Sequence, residues 1–237
     1  MNMTRRDFLG QSAKMTCLLT VTFVKWPVVG GVLDASAAEK VAEVPVIWIA
    51  TGSCTGCSVS LLNSASPNIQ EILLGQILPG KHISLGFHAT VMAASGDRAM
   101  ESLDDAARRH KGAYVLVVDG ATATKEDGLY CGVGEIRGVE RTGYDVVRDL
   151  GRNALAVLSV GTCSSFGGIP AAAPNPTGAV SVKEIFKREG IKTPVVNIPG
   201  CPPHPDWIVG TIAAILLGGL DGLKVAGLGG DCRSLHQ

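Results

Sequence analysis

The sequence has no net charge and few aromatic rings. Its 21 basic and 21 acidic side chains cancel over 237 residues, which argues against nucleic acid as the partner. Aromatics make up only 5%, so a core has to come from Val, Ile, Leu and Ala. With 30 glycines and 12 prolines to mark tight turns, the composition fits a compact α/β domain better than a helical bundle. No internal repeat or low-complexity tract is visible. No Ser/His/Asp set or paired carboxylates stand out for nucleophilic or acid–base catalysis. What the chain does have is cysteine, seven in all, most of them directly after apolar runs.

The first residues read as an address. Thr4-Arg5-Arg6-Asp7-Phe8-Leu9 is a twin-arginine signature, followed by a moderately apolar stretch from Met15 to Leu33 and by Ala35-Ser36-Ala37, an A-x-A cleavage site. An N-terminal membrane anchor is the alternative. Lys14, Lys25 and Pro27 interrupt the stretch, and it falls short of the roughly 20 apolar residues of a span. Residues 1–37, with Cys17, are therefore set apart as an export signal, which implies a periplasmic protein, with or without membrane association. Export by this pathway carries proteins already folded, usually with a cofactor inside.

Pro45 to Ala50 is a continuous apolar run bounded by turn residues, the pattern of a strand buried on both faces. Ile83–Phe87, Ala113–Asp119, Ala154–Val160 and Pro194–Ile198 repeat it, and helix-like segments such as Gly96–Lys111 and Tyr144–Gly151 lie between them. Strands alternating with helices predict a parallel, doubly wound sheet. Residues 167–178 form a Pro/Gly/Ala loop, too rigid for a linker and expected on the surface as a contact segment.

Placed on this map, Cys54 and Cys57 follow the first strand, Cys163 follows another and Cys201 a third. All four emerge at the carboxyl edge of one sheet, where open α/β sheets bind ligands. Three fillings compete. Export favours a disulfide pair, although four cysteines clustered after strands would be an unusual disulfide arrangement. Structural zinc usually draws two close C-x2-C pairs, whereas only Cys54 and Cys57 are close here. An iron–sulfur cubane takes four thiolates from distant loops, with glycine amides free to hydrogen-bond the sulfides. The ligand spacing favours the cubane.

Four stretches in order carry a resemblance: Gly52-Ser53-Cys54-Thr55-Gly56-Cys57-Ser58, Val160-Gly161-Thr162-Cys163-Ser164, Pro174-Asn175-Pro176-Thr177-Gly178 and Pro199-Gly200-Cys201-Pro202-Pro203-His204-Pro205. From Pro45 to Ile215 the chain resembles the small subunits of nickel-iron hydrogenases. The stretches Cys54–Asn63 and Cys201–Trp207 look most like the periplasmic nickel-iron-selenium branch. The resemblance implies a flavodoxin-like domain and one proximal 4Fe–4S cluster on Cys54, Cys57, Cys163 and Cys201. It further implies a nickel-iron centre housed only in a partner, the hydrogenase large subunit. Electrons from H2 oxidation there would pass to this chain, which would be inactive alone, and onward to an acceptor such as a cytochrome.

Other positions depart from the family or carry a plainer reading. Oxygen-tolerant members have an extra cluster cysteine near Cys131, but their second extra cysteine falls at Gly56, so Cys131 reads as a free thiol behaving as a small hydrophobe. His204, between prolines, reads as a loop residue with one hydrogen bond rather than a ligand or proton carrier. Ser53 and Val59 stand where many members carry glutamates, and His82 and His88 receive no function. The domain is expected to span residues 38–217. Full-length members then continue with a domain for medial and distal clusters, whereas residues 218–237 offer only Cys232 and His236 and lack the family's continuation, so that domain is expected to be missing. Two other functions compete with the electron-transfer subunit. A non-catalytic binding or assembly module would lack a large-subunit gene alongside its own. A one-cluster subunit of the respiratory quinone-reductase type usually shows adjacent cysteines, which Cys54-Thr55-Gly56-Cys57 does not.

Overall fold

A computed structural model describes residues 42–75 and 80–218. The expected export signal at residues 1–37 with Cys17, the tail beyond residue 218, Cys232 and His236 lie outside the described residues. Strands β1 (Ala42–Ala50), β2 (Lys81–His88), β3 (Val115–Asp119), β6 (Ala156–Val160) and β7 (Val195–Ile198) form one sheet in the order β2-β1-β3-β6-β7. Every pairing in it is parallel. With the five strands counted in chain order this is the 2-1-3-4-5 arrangement of flavodoxin-like folds, with its switch point between β1 and β3. β4 (Gly132–Ile136) and β5 (Val139–Thr142) make a separate antiparallel hairpin.

The sheet strands are apolar on both faces because helices cover both. Val46, Trp48, Val115, Val117, Leu158 and Ile198 pack on one side against α1 (Gly56–Leu62), α2 (Ile69–Leu74) and α7 (Pro205–Gly218). Ile47, Ile49, Leu116, Val118 and Val157 pack on the other against α3 (Gly96–Arg109), α4 (Gly143–Asn153) and α6 (Val182–Arg188). α5 (Gly161–Phe166) follows β6 directly. Among the described residues no helix is long and apolar enough to cross a membrane.

Local chemistry sets the helix boundaries. Asn68 and Glu71 form a reciprocal capping box at the start of α2, Thr142 caps α4 through the Asp145 amide (3.1 Å), and Ser181 caps α6 through the Glu184 amide (3.3 Å). The 167–178 loop contains one short 3-10 turn at Ile169–Ala171. Asn175 staples it: its amide group donates to the Ala179 carbonyl (3.0 Å) and accepts from the Ala179 N–H (2.8 Å). Ile169, 83% exposed, projects from it.

Candidate metal centre

The turn out of β1 builds the first half of the site. Thr51 donates its N–H to the Asp119 carbonyl (2.9 Å) and Gly52 its N–H to the Ala121 carbonyl (2.8 Å), so the turn is sewn to the end of β3. Thr55, between the two cysteines, sits in the left-handed region at φ 61 although it is β-branched, a strained setting of the kind that gathers at functional sites. It is held there by its N–H donating to Ser53 Oγ (2.9 Å) and its hydroxyl donating to the Cys54 carbonyl (2.7 Å). α1 then starts at Gly56 and carries Cys57 inward, while Cys54 stays exposed.

The second half comes from the ends of β6 and β7. Thr162 N–H donates to the Gly200 carbonyl (2.8 Å), tying the Cys163 loop to the Cys201 loop, and Ser60 Oγ donates to the Pro203 carbonyl (2.7 Å), tying α1 to the same loop. The Cys201-Pro202 peptide is cis. Three strand ends thus deliver four thiols to one edge. Cys54 and Cys163 lie within electrostatic reach of Cys57, and Cys201 and Cys54 within reach of Cys163. All are free thiols.

Glycines clear the space around these sulfurs. A Cβ on Gly161 would stand 2.4 Å from Cys57 Sγ, one on Gly168 2.7 Å from Cys163 Sγ and one on Gly56 3.2 Å from Cys54 Sγ. Among the described residues no three His, Cys, Asp or Glu side chains gather at single-ion range. A cradle of four thiols stripped of side-chain walls fits an iron–sulfur cubane.

Burial, then the charge and hydrogen bond of Asp119, then Cys54 and Cys163, push the Cys57 thiol far above the ordinary range. Burial is the first cause raising Cys163, with the Ile169 backbone acting against it. A thiol whose pKa is raised in this way is a poor nucleophile.

The structure brings together the four cysteines singled out from the sequence and leaves Cys131 apart. Cys131 is half-buried beside Gly143 and Thr51, and burial alone raises its thiol. His204 is exposed, its Nδ1 accepting from the Asp206 N–H (3.3 Å). His82 Nε2 lies 2.9 Å from the Leu73 carbonyl, and His88 stacks on Trp48 with ring centroids 5.0 Å apart. Sequence reasoning missed Asp119, which is 1% exposed at the end of β3 and accepts from Ser53 Oγ (2.7 Å), Ser58 Oγ (2.9 Å) and Ser58 N–H (3.2 Å). A lone carboxylate closing an apolar strand was the available signal.

The fold and the site define a flavodoxin-like domain with four free cysteines at the carboxyl edge of its sheet. Residues 54–215 match the family model described as NADH ubiquinone oxidoreductase, 20 Kd subunit, and the chain belongs to that family. Its similarity is high to the periplasmic NiFeSe hydrogenase small subunit of Desulfomicrobium baculatum, 43% identical over 90% of this chain and 66% of the relative. The hydrogenase-2 small chain of Escherichia coli is 38% identical over 90% of this chain and 52% of its own length. In three dimensions the NiFeSe hydrogenase of Desulfovibrio vulgaris Hildenborough matches with a TM-score of 0.74 at 46% identity, covering 82% of this chain and 70% of that one. The chain spans about half to two thirds of the length of these curated relatives.

Proposed function

We propose that this chain is the electron-transfer small subunit of a nickel-iron or nickel-iron-selenium hydrogenase, with Cys54, Cys57, Cys163 and Cys201 holding one 4Fe–4S cluster. When bound, that cluster supplies one-electron transfer from H2 oxidation at the nickel-iron centre of a large subunit toward a downstream acceptor such as a cytochrome. The observation that carries the reading is the convergence of the four free thiols, in a glycine-cleared edge, in a chain whose similar relatives are hydrogenase small subunits.

The residues around the cysteines have the character of a docking surface. Cys54 and Cys201 are exposed. Val59 two residues after Cys57, Phe166 on α5, Ile169 beside Cys163 and Trp207 after the Cys201 loop all present apolar surface to solvent. Such apolar exposure around a redox centre suits a protein partner that covers it and excludes water. The chain's own work is to hold the thiols, to keep Cys57 dry and to offer that rim. The twin-arginine motif supports a periplasmic location.

Co-production with a hydrogenase large subunit tests the reading. H2 is expected to elicit the electron-spin resonance of the reduced cluster in the complex and none in the isolated chain. A complex that forms and oxidises H2 while the signal stays silent would overturn it.

A further inference from the structure

The Cys201 loop is poor in hydrogen-bond donors of its own. Four of the seven residues from Pro199 to Pro205 are prolines, which carry no N–H, so the backbone cannot supply its carbonyls from within. The loop also folds tightly back: a Cβ on Gly200, at φ +148, would stand 2.4 Å from Pro203 Cα. The carbonyls on either side of Cys201 are held instead by the two elements that carry Cys57 and Cys163. The Thr162 N–H, one of the first in α5 and so without a partner inside the helix, donates to the Gly200 carbonyl (2.8 Å). The Thr162 hydroxyl accepts from the Gly200 N–H in return (3.3 Å). Ser60, three residues after Cys57 on α1, donates its hydroxyl to the carbonyl of buried Pro203 (2.7 Å). Thr162 adjoins Cys163 in the chain, and Gly200 and Pro203 bracket Cys201.

We infer that Ser60 and Thr162 are positioning residues, two side-chain clasps that fix the Cys201 loop against the elements carrying Cys57 and Cys163 and so set the spacing of three ligands. The inference rests on the cluster reading given above. Neither hydroxyl is a ligand, and each acts only through the loop it joins. Groups that orient a ligand govern how firmly the metal is held. Metal–ligand distances tolerate only about 0.2 Å, whereas the loss of one hydrogen bond leaves the fold standing. Retention of iron is therefore the property that the clasps control.

The test is the rate of iron release from the full chain, purified anaerobically, to the ferrous chelator bathophenanthroline disulfonate at one pH. Ser60→Ala removes the donor to Pro203, and Thr162→Val removes the acceptor for Gly200 while keeping the branched shape. Each is expected to release iron about 10–100-fold faster than the parent; a folded variant that takes up no iron is the limit of that effect. Ser60→Thr and Thr162→Ser keep a hydroxyl and are expected to release iron as the parent does. Thr193→Val removes a comparable hydroxyl, bonded to the Gly151 carbonyl (2.7 Å) just before β7 and so at the opposite edge of the sheet. It is expected to leave the rate unchanged, which a general loss of stability would not. Parental release from iron-loaded Ser60→Ala or Thr162→Val overturns the inference and leaves the cluster reading standing. Equal acceleration in Thr193→Val, or no recovery in either hydroxyl-keeping variant, does the same. If urea unfolding shows that one of the two clasp variants does not fold, the other decides. A parent chain without iron overturns both the inference and the cluster reading.

Discussion

Gly161→Ala isolates the space that the fold keeps open for the centre. Gly161 has φ +90, and a Cβ there would lie 2.4 Å from Cys57 Sγ. Heavy atoms in contact normally stand about 3.5–4.0 Å apart, so the sulfur has to retreat by more than about 1 Å. Cys57 is buried against Leu61 and the β-sheet and has little room to do so. The backbone strain costs about 1–3 kcal/mol and the overpacking about 1–3 kcal/mol, so the fold weakens but stands. Metal–ligand distances tolerate only about 0.2 Å, so the centre is lost first. The assay is iron and acid-labile sulfide per chain, read beside a urea unfolding curve. Gly190→Ala is the control: its φ is +62, but nothing lies within 4 Å of the added Cβ, so it strains the backbone without crowding a sulfur and keeps the metal. A Gly161→Ala chain that holds iron as firmly as the parent would refute the reasoning.

Three further outcomes follow from the packing. A Cβ on Gly151 would stand 2.4 Å from Phe186 Cζ, so Gly151→Ala lowers stability by about 1–3 kcal/mol, and adding Phe186→Leu recovers part of it in a urea double-mutant cycle. Burial lowers the pKa of His88 below the ordinary 6.5, against an opposing pull from Asp119. The unfolded chain therefore binds the proton first, and stability falls as pH drops below about 6.5. His88→Phe keeps a ring on Trp48 and should flatten that acid limb in thermal unfolding measured from pH 7 to 5. Thr142→Ala removes the α4 cap and should cost about 1 kcal/mol in the same urea assay.

The sheet was legible because its strands are buried on both faces, which turns Pro45–Ala50, Ala113–Asp119 and Ala154–Val160 into unbroken apolar runs. The shared edge of the four cysteines followed from them, since Cys54, Cys163 and Cys201 lie in the loops or turns just past such runs. The β4–β5 hairpin was not read. Its strands are short, half-exposed and interrupted by Gly132, Gly134, Glu135 and Glu140, so no alternation shows. Its one signal was the two-residue turn Arg137-Gly138, which takes positive φ at both positions (52 and 77) as a type I′ turn requires. Short helices such as α1 and α5, at 7 and 6 residues, carry too little periodicity to be seen. Asp119 was hidden because its role depends on Ser53 and Ser58, more than 60 positions away in sequence.

The central claim is that Cys54, Cys57, Cys163 and Cys201 hold one cubane, and metal analysis of the anaerobically purified chain tests it most directly. The account predicts four irons and four acid-labile sulfides per chain, no zinc, and loss of both iron and sulfide in Cys201→Ala. Zinc in place of iron, or no metal with the thiols paired, would contradict it.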